Sequence, residues 1–442
     1  MNIRYVLFLA CTAATGGLLF GFDVAIISGA GPFLARHFAL GDLGLGVAFS
    51  SLLFGCALGA AFAGRLSDRY GRRYVLLWIA MLFALTSVAT AFAWDFTSFL
   101  AARFVGGLAV GAVSLVSPMY VAEVAPAPVR GRLGALYQMS IVTGILVSYF
   151  INYGLHDIGP DNWRWMFGTG VLPSVIFFGL LLRAPETPRF LFMAGRRDEA
   201  RRVMERIGDS PGEVSLAAAE LSATTRGSWR AVLEPGVRRA VFVGFWLAIL
   251  IHFSGINTVI DYAPMIFQSA GWQLDAALLS TFVVGIVNFA FTLVSFWTID
   301  RYGRRPLYIT GSLGMAAALA ALTISVLLGR FDGPLALVLI LGYLAFFASC
   351  IGPVFWTLVP EILPTHVRGT AMTVPVLTQW VANAVVVLLF PAALNRLGQA
   401  PTFAILGAIS VAQALFTLKY VPETKNSTLE EIERHWAETP AR

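Results

Sequence analysis

The sharpest chemical signal in this chain is one acid in the wrong solvent. Asp23 lies inside an apolar run that starts near residue 5, well away from either end of the run. A carboxyl group surrounded by oil is costly to charge and marks a functional site by default. Desolvation favours its neutral form and a neighbouring cation its charged form. A group under both influences takes up and releases a proton as its surroundings change. Arg103, early in a later apolar run, is the natural partner. The pair reads as a proton-handling couple, with a permanent buried ion pair as the structural alternative.

Other chemistries find little support. The phosphate-cradling GxxxxGK[ST] string that would couple ATP does not occur, and no nucleophile–base set stands out. Gly106, Gly107 and Gly111 read as small residues for close helix packing. Cys11, Cys56 and Cys350 sit inside apolar runs without metal-ligand or CxxC spacing, and read as small hydrophobes. An enzyme is therefore not expected, nor a metal or organic cofactor; a proton gradient would be the energy source.

The elements that must hold Asp23 follow from composition. Of 442 residues 57% are hydrophobic and 13% charged, with mean hydropathy +0.75. Soluble domains carry about 25% charged residues, so this much apolar surface calls for a bilayer. Apolar runs of roughly 20 residues cross one. Twelve are expected, near 5–28, 44–64, 74–93, 97–120, 132–154, 165–183, 238–262, 276–299, 306–329, 335–360, 369–393 and 401–421. The first is too long for a secretion signal and reads as a retained helix.

Basic residues set the orientation. Arg65, Arg69, Arg72 and Arg73, then Arg130 and Arg132, then Arg301, Arg304 and Arg305 fall in alternate connections, and the others hold scattered residues such as Arg36, Arg164, Arg330 and Arg396. This pattern puts both termini in the cytoplasm of a cell whose inner membrane the chain spans. It also explains the net charge of +6 without nucleic acid. Residues 184–237 are polar and charged, and GRRDEARRVMERI within them has helical periodicity, so short cytoplasmic helices at the membrane surface are expected. The division is then 1–183, a six-helix bundle; 184–237, a cytoplasmic helical linker; 238–421, a second six-helix bundle; and 422–442, a tail.

The halves repeat. Asp68-Arg69-Tyr70-Gly71-Arg72-Arg73 follows the second span, and Asp300-Arg301-Tyr302-Gly303-Arg304-Arg305 follows the eighth. Glu123 precedes Arg130-Gly131 by seven residues, as Glu361 precedes Arg368-Gly369. Parallel repeats of this kind place a substrate site between the halves near the midplane, with rocking for alternating access. Asp68, Arg72, Arg73, Glu123, Arg130, Asp300, Arg304, Arg305, Glu361 and Arg368 are the expected cytoplasmic gate, through ion pairs across the halves. Exposed pairs contribute about 0–1 kcal/mol each, a strength that suits a gate opened on every cycle.

GRLSDRYGRR at 64–73 resembles the cytoplasmic signature of the major facilitator superfamily. GGLLFGFD at 16–23, PETPRFL at 185–191, GINTVIDYAP at 255–264, GPVFW at 352–356 and PETK at 422–425 resemble its sugar porter branch, bacterial proton–xylose and hexose symporters and animal glucose facilitators in particular. The resemblance implies an all-α membrane fold of twelve helices in two six-helix bundles. It implies a monosaccharide as substrate, with membrane lipid as the other partner; a monomer is the expected functional form. In the proton-coupled members the matching Asp–Arg pair is implicated in coupling, and facilitators lack the Asp, so Asp23 with Arg103 favours a symporter over a uniporter. Sugar recognition needs amides for hydroxyls and aromatic faces for the ring. By resemblance Gln138, Asn257, Trp356, Gln379, Trp380 and Asn383 match polar and aromatic positions of the site, and Phe20 and Tyr262 match aromatic positions lining it.

Two departures stand out. The family has Gln-Gln where this chain has Ile251-His252, and Tyr-Tyr where it has Asp261-Tyr262. His252 becomes a candidate for binding hydroxyls or titrating near neutral pH, and Asp261 for a second proton site, a hydroxyl ligand or a vestibule residue. They are nine residues apart, about 13–14 Å along a regular helix, so only a broken helix would let them pair. The departures leave a polyol or an inositol open as substrate alongside a pentose or hexose. Residues 422–442 are short for a signalling tail, which sets aside a sugar sensor.

Overall fold

The structure, a computed structural model, describes residues 2–126, 129–208, 232–364, 367–425, 432 and 436. Among them all regular structure is helical. Eleven segments are long and apolar enough to cross a membrane. Arg130–Leu155, 26 residues long, is a further helix of spanning length.

The first helix, Ile3–His37, runs past the expected end at residue 28. Gly31-Pro32 looks like a stop, yet Ala30 and Leu34 are fully buried, and packing carries the helix through. The second is Asp42–Tyr70, the third Arg72–Ala91, the fourth Phe96–Val124 and the fifth Arg130–Leu155. The sixth span is two helices, Asn162–Gly168 and Val171–Arg183. Asp95 caps the fourth helix by accepting from the Ser98 amide at 2.7 Å while Ser98 reaches back. Of the expected linker helices, Pro188–Met193 and Arg197–Ile207 are present. The latter buries Ala200, Val203, Met204 and Ile207 on one stripe and leaves its charges outside. Residues 209–231 of the linker lie outside the described residues.

The seventh span is broken twice, into Pro235–Phe253, Ile256–Asp261 and Ala263–Ser269. Gly255 at φ 90° makes the first break. The eighth is Leu274–Tyr302 and the ninth Arg304–Leu327. The tenth is Gly333–Phe346 and Gly352–Ile362 joined by a π turn, Phe347–Ile351. A short turn of helix, Arg368–Ala371, precedes the eleventh, Thr373–Leu397; the twelfth is Gln399–Tyr420.

The chain groups into two units. One comprises Met1–Ile26, Gly55–Ser148 and Asp161–Thr225; the other Ile27–Phe54, Tyr149–Pro160 and Arg226–Arg442. In the first unit, backbones pack directly on one another. A Cβ on Gly111 would stand 2.0 Å from the Cys56 carbonyl oxygen, and one on Gly21 only 1.9 Å from that of Ile141. Glycine is thus required where the second helix meets the fourth and the first meets the fifth, which bears out small-residue packing.

The second unit holds the second-half helices together with the far ends of the first, second and fifth, meaning the ends away from the DRYGRR strings. Proline chemistry shapes this seam. Pro264 has no N–H for the carbonyl of Ile260, four residues earlier, and that oxygen accepts instead from Ser28 and from the Tyr149 hydroxyl, both at 3.1 Å. Pro391 likewise frees the carbonyl of Val387, which accepts from the Tyr262 hydroxyl at 3.0 Å. Tyr262 stacks on Phe49 with centroids 4.4 Å apart. Both of these freed carbonyls accept from hydroxyls of other segments.

Candidate functional site

In the first unit Asp23 meets Arg103. Nη1 of Arg103 donates to Oδ1 of Asp23 at 2.6 Å, and Nη2 donates to the main-chain oxygen of Asp23 at 3.0 Å. The guanidinium thus holds both the carboxylate and its backbone. It lies over the Phe167 ring, 5.0 Å from the centroid. Arg103 is 2% exposed and Asp23 15%, so the acid keeps a partial opening that the base lacks. Gly106, one turn beyond Arg103, faces the same carboxylate: a Cβ there would be in ordinary contact with Oδ2, at 3.7 Å. Phe20, on the same helical face as Asp23, and Gln138 on the fifth helix are half-buried in this unit.

In the second unit the first break of the seventh span sets His252 and Asn257 against each other, Nδ1 to Nδ2, at 3.5 Å. Gln379 of the eleventh helix lies beside the same imidazole. One turn further on, Asn383 is buried, as is Trp380. Trp356 is half-buried just past the π turn, its ring edge-on to Phe355. The carbonyl of Ser254 at the break accepts from Tyr343 at 3.1 Å, which holds the kink in place. Three hydrogen-bonding side chains from two spans, the seventh and the eleventh, are thus brought together. Tyr262 is 2% exposed with its hydroxyl engaged, so it belongs to the far-end seam. Asp261 is buried beside Tyr149 and Tyr262, apart from the His252 cluster.

At the end carrying the DRYGRR strings, each unit builds its own cluster. Arg72 bonds Asp68 at 2.9 Å, Glu123 at 3.1 Å and the Ser67 carbonyl at 3.0 Å. Arg304 bonds Glu361 at 3.1 Å. Arg73 reaches the carbonyls of Leu181 and Leu182 at the end of the sixth span, and Arg305 that of Leu418 in the twelfth. Sequence reasoning expected partners in opposite halves; these bonds of Arg72 and Arg304 join elements of a single unit. The side chains of Arg130, Asp300 and Arg368 lie outside the described residues.

The clusters also contain acids that sequence reasoning gave no role. Glu186 accepts from the amides of Arg72 and Arg73 at 3.0–3.2 Å, and Glu423 from those of Arg304 and Arg305 at 3.1 Å. Each carboxylate therefore sits on the N-terminus of a helix, where the unpaired N–H groups and the helix dipole favour negative charge. Thr187 donates to Glu123 and Thr424 to Glu361, both at 2.6 Å. Burial pushes the Glu186 carboxyl up from its ordinary range, against the pull of the amides of Thr187, Arg73 and Arg72 and the charge of Arg72. The signal was available: Pro-Glu-Thr recurs at 185–187 and 422–424, after the last span of each half.

Comparison with known proteins adds what geometry lacks. Residues 9–436 match the family described as sugar (and other) transporter. The arabinose–proton symporter of Bacillus subtilis (strain 168) is 37% identical over 98% of this chain and 96% of its own length. The D-xylose–proton symporter of Escherichia coli (strain K12) is 36% identical, with the same coverage. The solved structure of the xylose transporter XylE from E. coli, partially occluded and inward open, superposes with a TM-score of 0.86 at 34% identity, covering 96% of this chain and 100% of XylE.

Proposed function

Because the chain belongs to the sugar transporter family of the major facilitator superfamily, as a multi-pass membrane protein and not an enzyme, we propose that it carries a pentose or hexose into the cell together with a proton. The single observation behind this reading is the Asp23–Arg103 pair, a carboxylate inside a membrane helix held at 2.6 Å by a buried guanidinium. With the ion pair closed, the Asp23 carboxylate and main-chain oxygen take up the two Nη groups of Arg103. Protonation of Asp23 removes one charge of the pair and frees the first helix from the fourth. Sugar and proton are then carried through the same conformational change, and loss of the proton to the cytoplasm restores the pair.

Sugar hydroxyls are bound by Gln138, His252, Asn257, Gln379 and Asn383, with Phe20, Trp356 and Trp380 as apolar faces. Amide and imidazole groups left without partners would penalise a ligand lacking the matching hydroxyl. Tyr262 acts at the far-end seam. The halves 1–183 and 238–421 are the moving bodies, 184–237 the linker and 422–442 the tail. The DRYGRR ends, with Asp68, Arg72, Arg73, Glu123, Arg130, Asp300, Arg304, Arg305, Glu361 and Arg368, form the gate on the cytoplasmic side of the inner membrane; basic residues favour that orientation. A monomer embedded in lipid suffices. A polyol or inositol is the second reading, favoured by His252 and Asp261 where the family has amide and tyrosine.

The test is uptake into proteoliposomes under an imposed pH gradient, with a panel of pentoses, hexoses and inositols. Asp23→Asn is expected to bring accumulation down to the equilibrium level while counterflow exchange of the same sugar continues. Accumulation unchanged in Asp23→Asn overturns the coupling role.

A further inference from the structure

The far-end seam is fastened at its rim by two polar contacts of different chemistry. Nδ2 of Asn395, near the end of the eleventh helix, donates to Oδ1 of Asp42 at the start of the second, at 2.6 Å. Nε2 of His156, just past the fifth helix, faces Oδ1 of Asp275 in the first turn of the eighth, at 3.1 Å. Both contacts lie within the second unit, and both tie a first-half helix to a second-half helix.

The imidazole is held between two acceptors. Its Nδ1 faces the carbonyl oxygen of Tyr153, one turn back. A carbonyl accepts only, so Nδ1 must carry a proton. Asp275 sits in the first turn of the eighth helix, and a carboxylate likewise accepts only. A neutral imidazole has one N–H; with Nδ1 donating, it would turn a lone pair on Nε2 toward a carboxylate oxygen. The doubly protonated ring donates to both. The geometry points to a proton-dependent latch at the outer rim, His156⁺–Asp275⁻, complete only when the imidazole is charged.

The groups facing the ring include Asp275 from the eighth helix and Tyr153 from its own, whose ring stacks on the imidazole at 5.4 Å; Asp157 follows it in the chain. His156 is 20% exposed and Asp275 76%, so protons reach the pair from the surrounding water. The latch rests on the proposed orientation, in which this rim faces outside. Acid outside then holds the outer seam shut, and a neutral exterior loosens it. Asn395–Asp42 is the built-in control, because an amide donor does not titrate.

The test uses the full chain in lipid nanodiscs without substrate or proton gradient. Cys11 is replaced by Ser, and spin labels are placed on Leu43→Cys and Leu397→Cys, two exposed positions beside the rim. Between about pH 5.5 and pH 8, the interval in which side-chain charge in proteins changes mainly at imidazoles, the ratio of separated to closed label pairs is expected to rise about two- to fivefold, the scale of one exposed ion pair. His156→Gln and Asp275→Asn should flatten that response, and Asn395→Ala should raise the separated population at both pH values without flattening it. An undiminished response in His156→Gln, or none in the parent, overturns the latch. A response lost in Asp23→Asn but kept in His156→Gln would assign it to the core carboxyl and equally overturn the latch. Because no transport is measured, the symport reading stands or falls separately.

Discussion

The two clusters at the DRYGRR ends share one backbone device but not one environment. In each, a glycine at positive φ, Gly71 at 99° and Gly303 at 92°, turns the chain between two membrane helices. In each, a Pro-Glu-Thr glutamate from beyond the last span caps the next helix, and the threonine binds the glutamate at the end of the fourth or tenth span. A Cβ on Gly71 would stand 2.3 Å from Glu186, and one on Gly303 2.7 Å from Glu423, so both glycines make room for the carboxylate as well as the turn. The surroundings differ. Arg72 and Glu123 are 2% and 8% exposed, Arg304 and Glu361 17% and 29%. Duplication preserved the bonds that the backbone demands and let burial diverge, so the first cluster is a structural brace and the second is nearer to water.

That contrast makes unequal predictions. Arg72→Ala strands a buried carboxylate and should cost about 3–5 kcal/mol, whereas Arg304→Ala, at a wetter pair, should cost about 1 kcal/mol. Apparent melting temperatures in detergent would rank them, and equal losses would break the comparison. Glu186→Ala and Glu423→Ala should each cost about 1–2 kcal/mol by leaving two helix amides without their acceptor; similar shifts in the same assay would sharpen the claim of a shared device. The smallest effect is in pH. Burial raises the folded-state affinity of Glu186 for a proton above that of the unfolded chain. Its contribution to stability is therefore complete below the ordinary value of 4.5 and is lost as pH rises through the elevated one. Melting curves across mildly acidic pH should show this decline in the parent, and Glu186→Gln should lack it.

Sequence showed the architecture because its signals are local or repeated. Apolar run length gave the spans, and the doubled DRYGRR and Glu/Arg-Gly strings gave the two halves. Asp23 and Arg103 were legible as a pair because each is anomalous alone, and no other charge in the early spans competes for either. Partners set by helix rotation were not legible. Nothing in the string around Arg72 says that its bonds stay within one unit, and Tyr262 looked like a lining residue until Pro391, 129 positions later, supplied its acceptor. The continuation of the first helix through Pro32 was hidden for the same reason, since burial on a neighbour outweighs a local stop signal.

The π turn at Phe347–Ile351 carries a consequence of its own. Such a turn holds one residue more than the α-helix around it, so it acts as a phase adjuster. Deleting a single residue there would let the turn close to α geometry with the helix beyond it still in phase, whereas deleting one from Gly333–Phe346 would rotate everything downstream by about 100°, swinging the Trp356 indole round the helix circumference while its spelling in GPVFW stayed intact. The aim of that indole is stored upstream, in a count of residues.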